Sequence, residues 1–257
     1  MSVIISTQAE LLKTKRTAAF WLTFAGACFI PLMFFIALFT GNDASRAGLL
    51  KDPWGRLFNL SFQMLSGLVP MFIILLSTLI IQIEYRNNTW KQVFATPQSV
   101  ASIFFSKFIT IHLMIVCCFL LFNVFLILAG VFGNLLDAKL TFLHRSIDWE
   151  MVLRRNIKTY VSILGISAIQ FWLSLRFKNF IVPIGIGLAL VIGAIIALNL
   201  QWKHIYKYPF AFPMLTFDFS QKLNRPYLEN HELNSIGYFI AFVVLGFFDL
   251  KWRKEKG

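Results

Sequence analysis

Charge is scarce in this chain: Asp, Glu, Lys and Arg make up 14% of its 257 residues, against about 25% in soluble globular domains. Cysteine is scarcer still. Cys28, Cys117 and Cys118 all fall inside apolar runs and no CxxC pair occurs. That excludes a disulfide framework and a thiolate metal site and leaves small buried hydrophobes. No GxxxxGK[ST] phosphate loop is present, so the chain does not bind ATP in the P-loop manner. His231-Glu232 opens like a zinc-protease HExxH, but Ser235 stands where the second ligand belongs. Gly165-Ile166-Ser167 lacks the following glycine of a nucleophile elbow. We therefore expect no catalytic residues, no metal site, no resident cofactor and no enzymatic activity of the chain's own.

What is abundant is apolar: 58% of residues are hydrophobic and 16% aromatic. They are concentrated in long runs, the mark of an integral membrane protein. The expected fold is all-α, a single transmembrane domain over 1–257 with six spans near 18–39, 58–83, 104–132, 159–175, 180–200 and 236–248. Lys13, Lys15 and Arg16 precede a first run longer than a signal-peptide core, which reads as a retained span. The net charge of +12 sits in short loops, where contact with lipid head groups explains it better than nucleic acid does.

Lysine and arginine are equally numerous on the two sides, but those flanking an inside N-terminus lie in shorter segments, where the orientation rule applies best. Six spans then place both termini, including the Lys251–Lys256 tail, in the cytoplasm of a multi-pass inner or plasma membrane protein. Trp21, Trp172, Trp202 and Trp252 fall near span ends, as an interfacial belt does. Pro31, Pro70 and Pro183 lie inside spans and predict kinks. No ionisable residue is central. Lys107 is expected to snorkel to the inner interface, and His112, Gln63, Asn123 and Gln170 to supply hydrogen bonds between helices.

Two outer loops are long. In 133–158, Trp149, Val152 and Leu153 lie opposite Asp148 and Arg155, predicting an interfacial helix over 147–157. The second, 201–235, opens with Trp202, Tyr206, Tyr208, Phe210 and Phe212 around Pro209 and Pro213. This aromatic segment reads either as an outer gate, with Trp202, Tyr208 and Phe212 over a pathway, or as an interfacial anchor.

The most informative stretch is the first inner loop, EYRNNTWKQVFATPQS, residues 84–99. Trp90, Val93 and Phe94 stand at i, i+3 and i+4, and Thr89 can cap a short helix that Pro97 ends. Physics alone leaves two readings, a helix offering an apolar stripe to a partner and an interfacial turn anchored by Trp90. The loop, followed by Lys107, resembles the inner loop of ABC-2-type exporter permeases, and the full string is similar to the lantibiotic and bacitracin-type peptide immunity subgroup. Glu10–Arg16 leading into Trp21, and QFWLSLRF (170–177) before Pro183-Ile184-Gly185, fit the same subgroup.

The resemblance implies a permease that pairs with a second permease subunit, as homo- or heterodimer, and with separate cytoplasmic ATPase subunits that carry ATP and Mg. It implies an N-terminal amphipathic helix bearing Glu10, Lys13 and Arg16. It also implies an ATPase-coupling loop bearing Glu84, Arg86, Asn88, Thr89, Trp90, Lys91 and Pro97, in which Glu84 and Arg86 contact the ATPase and Trp90 anchors it. The expected function is export, or extraction from the membrane, of antimicrobial peptides. The other reading is a non-transporting membrane scaffold that recruits a cytoplasmic complex, or an exporter of another hydrophobic substrate such as a lipid or drug.

Overall fold

Apolar runs of this length fold as helices because hydrocarbon offers the backbone no water, and a helix satisfies its own amides. The structure, a computed structural model, describes residues 3–40, 51–87, 89–95, 98–137, 139–219 and 229–255. Within them the helices are α1 (Val3–Thr14), α2 (Ala18–Thr40), α3 (Pro53–Arg86), α4 (Trp90–Ala95) and α5 (Val100–Leu136), followed by α6 (Trp149–Arg176), α7 (Ile181–Asn199), α8 (Phe212–Phe219) and α9 (Asn230–Glu255). Single 3-10 turns occupy Phe142–His144, Ile205–Lys207 and Pro209–Ala211, and no strand occurs among the described residues.

Five helices are long and apolar enough to cross a membrane: Ala18–Leu38, Pro53–Arg86, Val100–Leu136, Ile181–Asn199 and Asn230–Trp252. The expected crossing at 159–175 lies in α6, which is less apolar than these five. Its Ser162, Ser167, Gln170 and Ser174 are fully buried, turned toward neighbouring helices rather than lipid. The interfacial helix expected over 147–157 is not a separate element but the first turns of α6. The Asp148 side chain caps that helix by accepting from Met151 N at 3.0 Å, and no breaker interrupts it before Arg176. Asp52 and Ser99 start α3 and α5 in the same way. Helices α3 and α5, 34 and 37 residues long, extend about 50 Å at 1.5 Å per residue and outrun a hydrocarbon core of about 30 Å. Pro31 and Pro70 lie within α2 and α3, whereas Pro183 sits in the first turn of α7, where its missing N–H disrupts no helical bond.

Helix α6 is the hub, packed on α9, α3 and α8. A Cβ on Gly165 would stand 3.1 Å from Tyr238 Cβ and 3.2 Å from the Ser235 carbonyl oxygen, so the α6–α9 contact is backbone-close. The Ser235 hydroxyl donates across it to Val161 O at 2.8 Å. An aromatic seam of Phe104, Phe108, Phe171, Phe239 and Phe247 joins α5, α6 and α9. Within the bundle, neutral polar bonds join helices: Asn123 and Asn156 exchange amide bonds at 2.9 and 3.2 Å, and Gln170 donates to Pro183 O at 2.9 Å. His112 lies between Tyr160 (2.9 Å) and Ser167 (3.3 Å). Gln63 departs from expectation, being exposed, with its carbonyl accepting from Ser66.

At the bundle end opposite α1, the second long loop folds back inward. Phe210, Ala211 and Phe212 are fully buried against α3, α6 and α7, and Tyr208 donates to Leu190 O at 2.9 Å. Trp202 stays half exposed at the turn after α7.

Because the α6–α9 approach leaves no room for a side chain, Gly165→Leu is expected to lower stability by about 1–3 kcal/mol. Gly185 has nothing within 4 Å of its would-be Cβ, so Gly185→Ala is expected to be neutral or stabilising by up to about 1 kcal/mol. Thermal unfolding of both variants in detergent checks this, and equal losses would refute the close approach.

Candidate functional site

The site begins with an inverted amphipathic helix. In α1 the buried face is polar, made of Ser6, Thr7, Glu10 and Thr14, while Ile4, Ile5 and Leu12 are exposed. Arg16 takes a left-handed φ of 65° in the turn that joins α1 to α2. Few L-residues adopt that conformation, so the chain spends conformational energy to swing α1 against the ends of α3 and α5.

Helix α1 meets α5 first through hydroxyls, with Ser6 Oγ 3.1 Å from Ser102 Oγ. One turn further, four charges close into a ring. Lys107 Nζ, on α5, donates to Glu10 Oε2 at 2.6 Å and lies 2.9 Å from Glu84 Oε1, near the end of α3. Lys13 Nζ donates to Glu10 Oε1 at 2.7 Å and to Glu84 Oε1 at 3.0 Å. The side chains of Lys107 and Glu84 are each 1% exposed and that of Glu10 9%, while Lys13 is 41% exposed and closes the ring from the solvent side. Two cations alternate with two carboxylates and the ring is neutral, which is the condition for taking such groups out of water. Glu84 Oε2 is buried without a hydrogen bond among the described residues.

The short helix α4 rests on this ring. Thr89 N donates to Glu84 O at 3.0 Å, and Thr89 O accepts from Val93 N at 2.9 Å to start the helix. The Trp90 ring carries Lys107 Nζ at 5.7 Å, a cation–π distance, and packs 5.3 Å from Tyr85. Tyr85 in turn donates to Leu175 O at 2.8 Å, tying the loop to the end of α6. At the same end Arg176 Nη1 bonds Asp249 Oδ1 at 2.7 Å, joining α6 to α9.

Of the residues singled out in sequence, Glu10, Lys13, Glu84, Thr89 and Trp90 come together here. Arg86 is exposed beside the ring and makes no ion pair among the described residues. Lys91 belongs to α4 by its backbone, and Asn88 and Pro97 lie outside the described residues. Two expectations change. Lys107 does not snorkel, because two carboxylates hold it inward. The Glu84 carboxylate points to its own chain's lysines and is not a surface contact. Sequence reasoning missed the Lys107–Glu84–Glu10 pairing, although a lysine two turns inside an apolar helix already signals a need for buried counter-charge. Tyr208 and Phe212 belong to the segment that folds back at the opposite end of the bundle, where Trp202 stays half exposed.

Burial disfavours ionisation of Glu10, but Lys107 and Lys13 outweigh it and hold the carboxyl below its ordinary value of 4.5. Burial likewise disfavours charge on Lys13, and Glu10 and Glu84 reverse it, raising the ammonium above its ordinary 10.5. A ring that fixes three helices and a loop, and that opens to solvent at one lysine, can transmit a push on the loop into α1, α3 and α5 together.

The long apolar helices define a multi-pass membrane protein whose α1 end is clamped by buried ion pairs. A family model described as ABC-2 family transporter protein matches residues 6–194, and the chain belongs to that family. The match runs from α1 through most of α7 and so takes in every member of the ring. A search of curated proteins finds no match.

Removing one ring member strands the others in a dry site, so Lys107→Met or Glu84→Gln alone is expected to cost about 3 kcal/mol or more. The double variant should cost clearly less than the sum, a coupling that a double-mutant cycle of unfolding midpoints reads. Additive losses would mean the pairing is not energetic.

The ring should also set a pH window. The depressed carboxyl of Glu10 contributes stability that is complete above 4.5 and lost as pH falls through its lower folded value. The raised ammonium of Lys13 contributes stability that is complete below 10.5 and lost as pH rises through its higher folded value. Unfolding midpoints across pH should therefore plateau between, and Glu10→Gln should flatten the acid limb.

Proposed function

We propose that this chain is the permease subunit of an ATP-driven exporter, with six crossings including α6, both termini cytoplasmic, and no ATPase of its own. The observation that carries the reading is the neutral ion ring, because it makes α1, the loop at 84–95 and the ends of α3 and α5 one mechanical unit. Separate ATPase subunits dock on the face formed by Arg86, α4 and the exposed side of α1. Closure of the ATPases on ATP pushes α4 and, through Trp90 on Lys107, the ring, so that α3 and α5 move relative to the α6–α9 seam. Two permease subunits pair, as identical or different chains. The substrate class we favour is antimicrobial peptides of the lantibiotic or bacitracin kind, amphipathic molecules extracted from the membrane. The uncharged middle of every span suits such cargo better than ions.

The reading separates contact from coupling. Arg86→Ala should weaken ATPase docking by about 1 kcal/mol or more. Glu84→Gln should leave the ATPase bound but reduce transport-linked turnover and peptide resistance. Affinity purification in mild detergent, with vanadate-sensitive ATPase assay of the eluate, measures both. A chain that retains no ATPase, and whose deletion leaves peptide sensitivity unchanged, is instead a scaffold.

A further inference from the structure

At the end of the bundle opposite the ion ring, α6 presents Arg155, Lys158 and Thr159 at i, i+3 and i+4, one face of the helix. They line a cavity of about 20 Å³ shared with Ser66 of α3 and Thr216 of α8 and walled by Phe62 and Phe217. That volume admits one oxygen-sized group, so a larger ligand sits at the mouth with a single oxygen reaching in. Arg155 is partly exposed, so the cavity reaches the surface.

The three α6 residues all have donor capacity to spare. Arg155 Nη2 is committed to Asn59 Oδ1, but its Nη1 is buried with no hydrogen-bond partner among the described residues. Among the described residues Lys158 Nζ pairs with Glu232 Oε1 alone, at 3.8 Å, beyond hydrogen-bond length. No hydrogen bond holds the Thr159 hydroxyl among the described residues, whereas Ser66 and Thr216 have already given theirs to Gln63 O and Phe212 O.

Three carboxylates, Asp148, Glu229 and Glu232, and three cations, Arg154, Arg155 and Lys158, surround the pocket. Glu232 faces Lys158, but its Oε2 is held by Glu229 N. Asp148 acts on Arg155 from the start of α6 without bonding to it, its Oδ1 being engaged by Met151 N, and Arg154 adds a further cation near Glu232. Only Glu232 of these carboxylates comes within ion-pair range of Lys158, at 3.8 Å, so unused donors on Arg155 and Lys158, rather than net charge, are what an added anion engages.

We propose that Arg155, Lys158 and Thr159 bind a phosphate group, supplied by a lipid head group or by free phosphate. Guanidinium and ammonium hydrogen bonds to its oxygens are of the strong, charge-assisted kind. A basic pocket between helices at the membrane boundary has the chemistry that receives lipid phosphate. The inference does not depend on transport or on any ATPase.

The test uses the purified full chain in detergent. Its unfolding midpoint is followed by tryptophan fluorescence while inorganic phosphate, dioleoylphosphatidylglycerol or dioleoylglycerol is added. Wild-type protein should be stabilised by phosphatidylglycerol and not by the diacylglycerol, which has the same chains without the phosphate. Stabilisation by inorganic phosphate as well identifies free phosphate as a second source, and stabilisation by inorganic phosphate alone identifies it as the ligand. Arg155→Gln and Lys158→Gln should each weaken the apparent affinity by about tenfold or more, Thr159→Val by a few-fold, and Lys158→Arg should retain it. Should Arg155→Gln not fold, the milder Thr159→Val and Lys158→Arg decide. Wild-type protein that responds to neither phosphate source beyond the diacylglycerol overturns the proposal, as do variants that respond like wild type.

Discussion

Everything at the α1 end depends on keeping four charges neutral in a place with almost no water. Lys107 is fully buried on an apolar helix, and an ammonium there is tolerable only with carboxylates in contact. Glu84 of α3 supplies one and Glu10 of α1 the other, so a helix that makes no crossing of its own is required to complete the burial of a charge on one that does. Lys13 then balances the second carboxylate. Remove any partner and the remaining charges must ionise alone, change protonation or reach water. The ring therefore fixes the position of α1 more firmly than its apolar residues do, since Ile4, Ile5 and Leu12 face outward.

Attachment through a polar face has a mechanical consequence. The α5–α6–α9 seam is an interlocked set of phenyl rings around a backbone-close contact at Gly165. Sliding it opens a void or a clash, and packed interiors resist both. The α1–α3–α5 junction is held by charges at the bundle end, beside a lysine that already touches solvent. The molecule thus has a side locked by packing and a side locked by charge, and α4 stands on the latter.

Much of this was legible in sequence because it depends on composition and period. Long uncharged runs marked the helices, but their starts at 58, 104 and 159 fell late, because α3, α5 and α6 begin at the side-chain caps Asp52, Ser99 and Asp148. The separate placing of 147–157 and 159–175 failed because Lys158 looks like a break between a surface helix and a span. In the fold Arg155 and Lys158 sit on a continuous helix and line a cavity between α6, α3 and α8. Pro183 looked like an interior kink, although α7 begins only two residues before it, where Asn179 Oδ1 accepts from Ile181 N at 3.0 Å. The ring was only half legible. Glu10 and Lys13 are neighbours at i, i+3, but no local pattern joins them to residues 71 and 97 positions away. Only the tertiary approach of α1 to α3 and α5, set by the left-handed turn at Arg16, brings them together.

Where the charges are absent completes the argument. Residues 57–83, 108–136, 159–175, 181–199 and 233–248 contain no Asp, Glu, Lys or Arg. Between the ring at one end and the α6 cations at the other, the helices touch through phenyl rings, paired amides and a histidine between two hydroxyls. Charge is thus confined to the two ends of the described bundle. At one of them the ring binds the N-terminal helix to the ends of two long spans, with the short helix α4 resting on it.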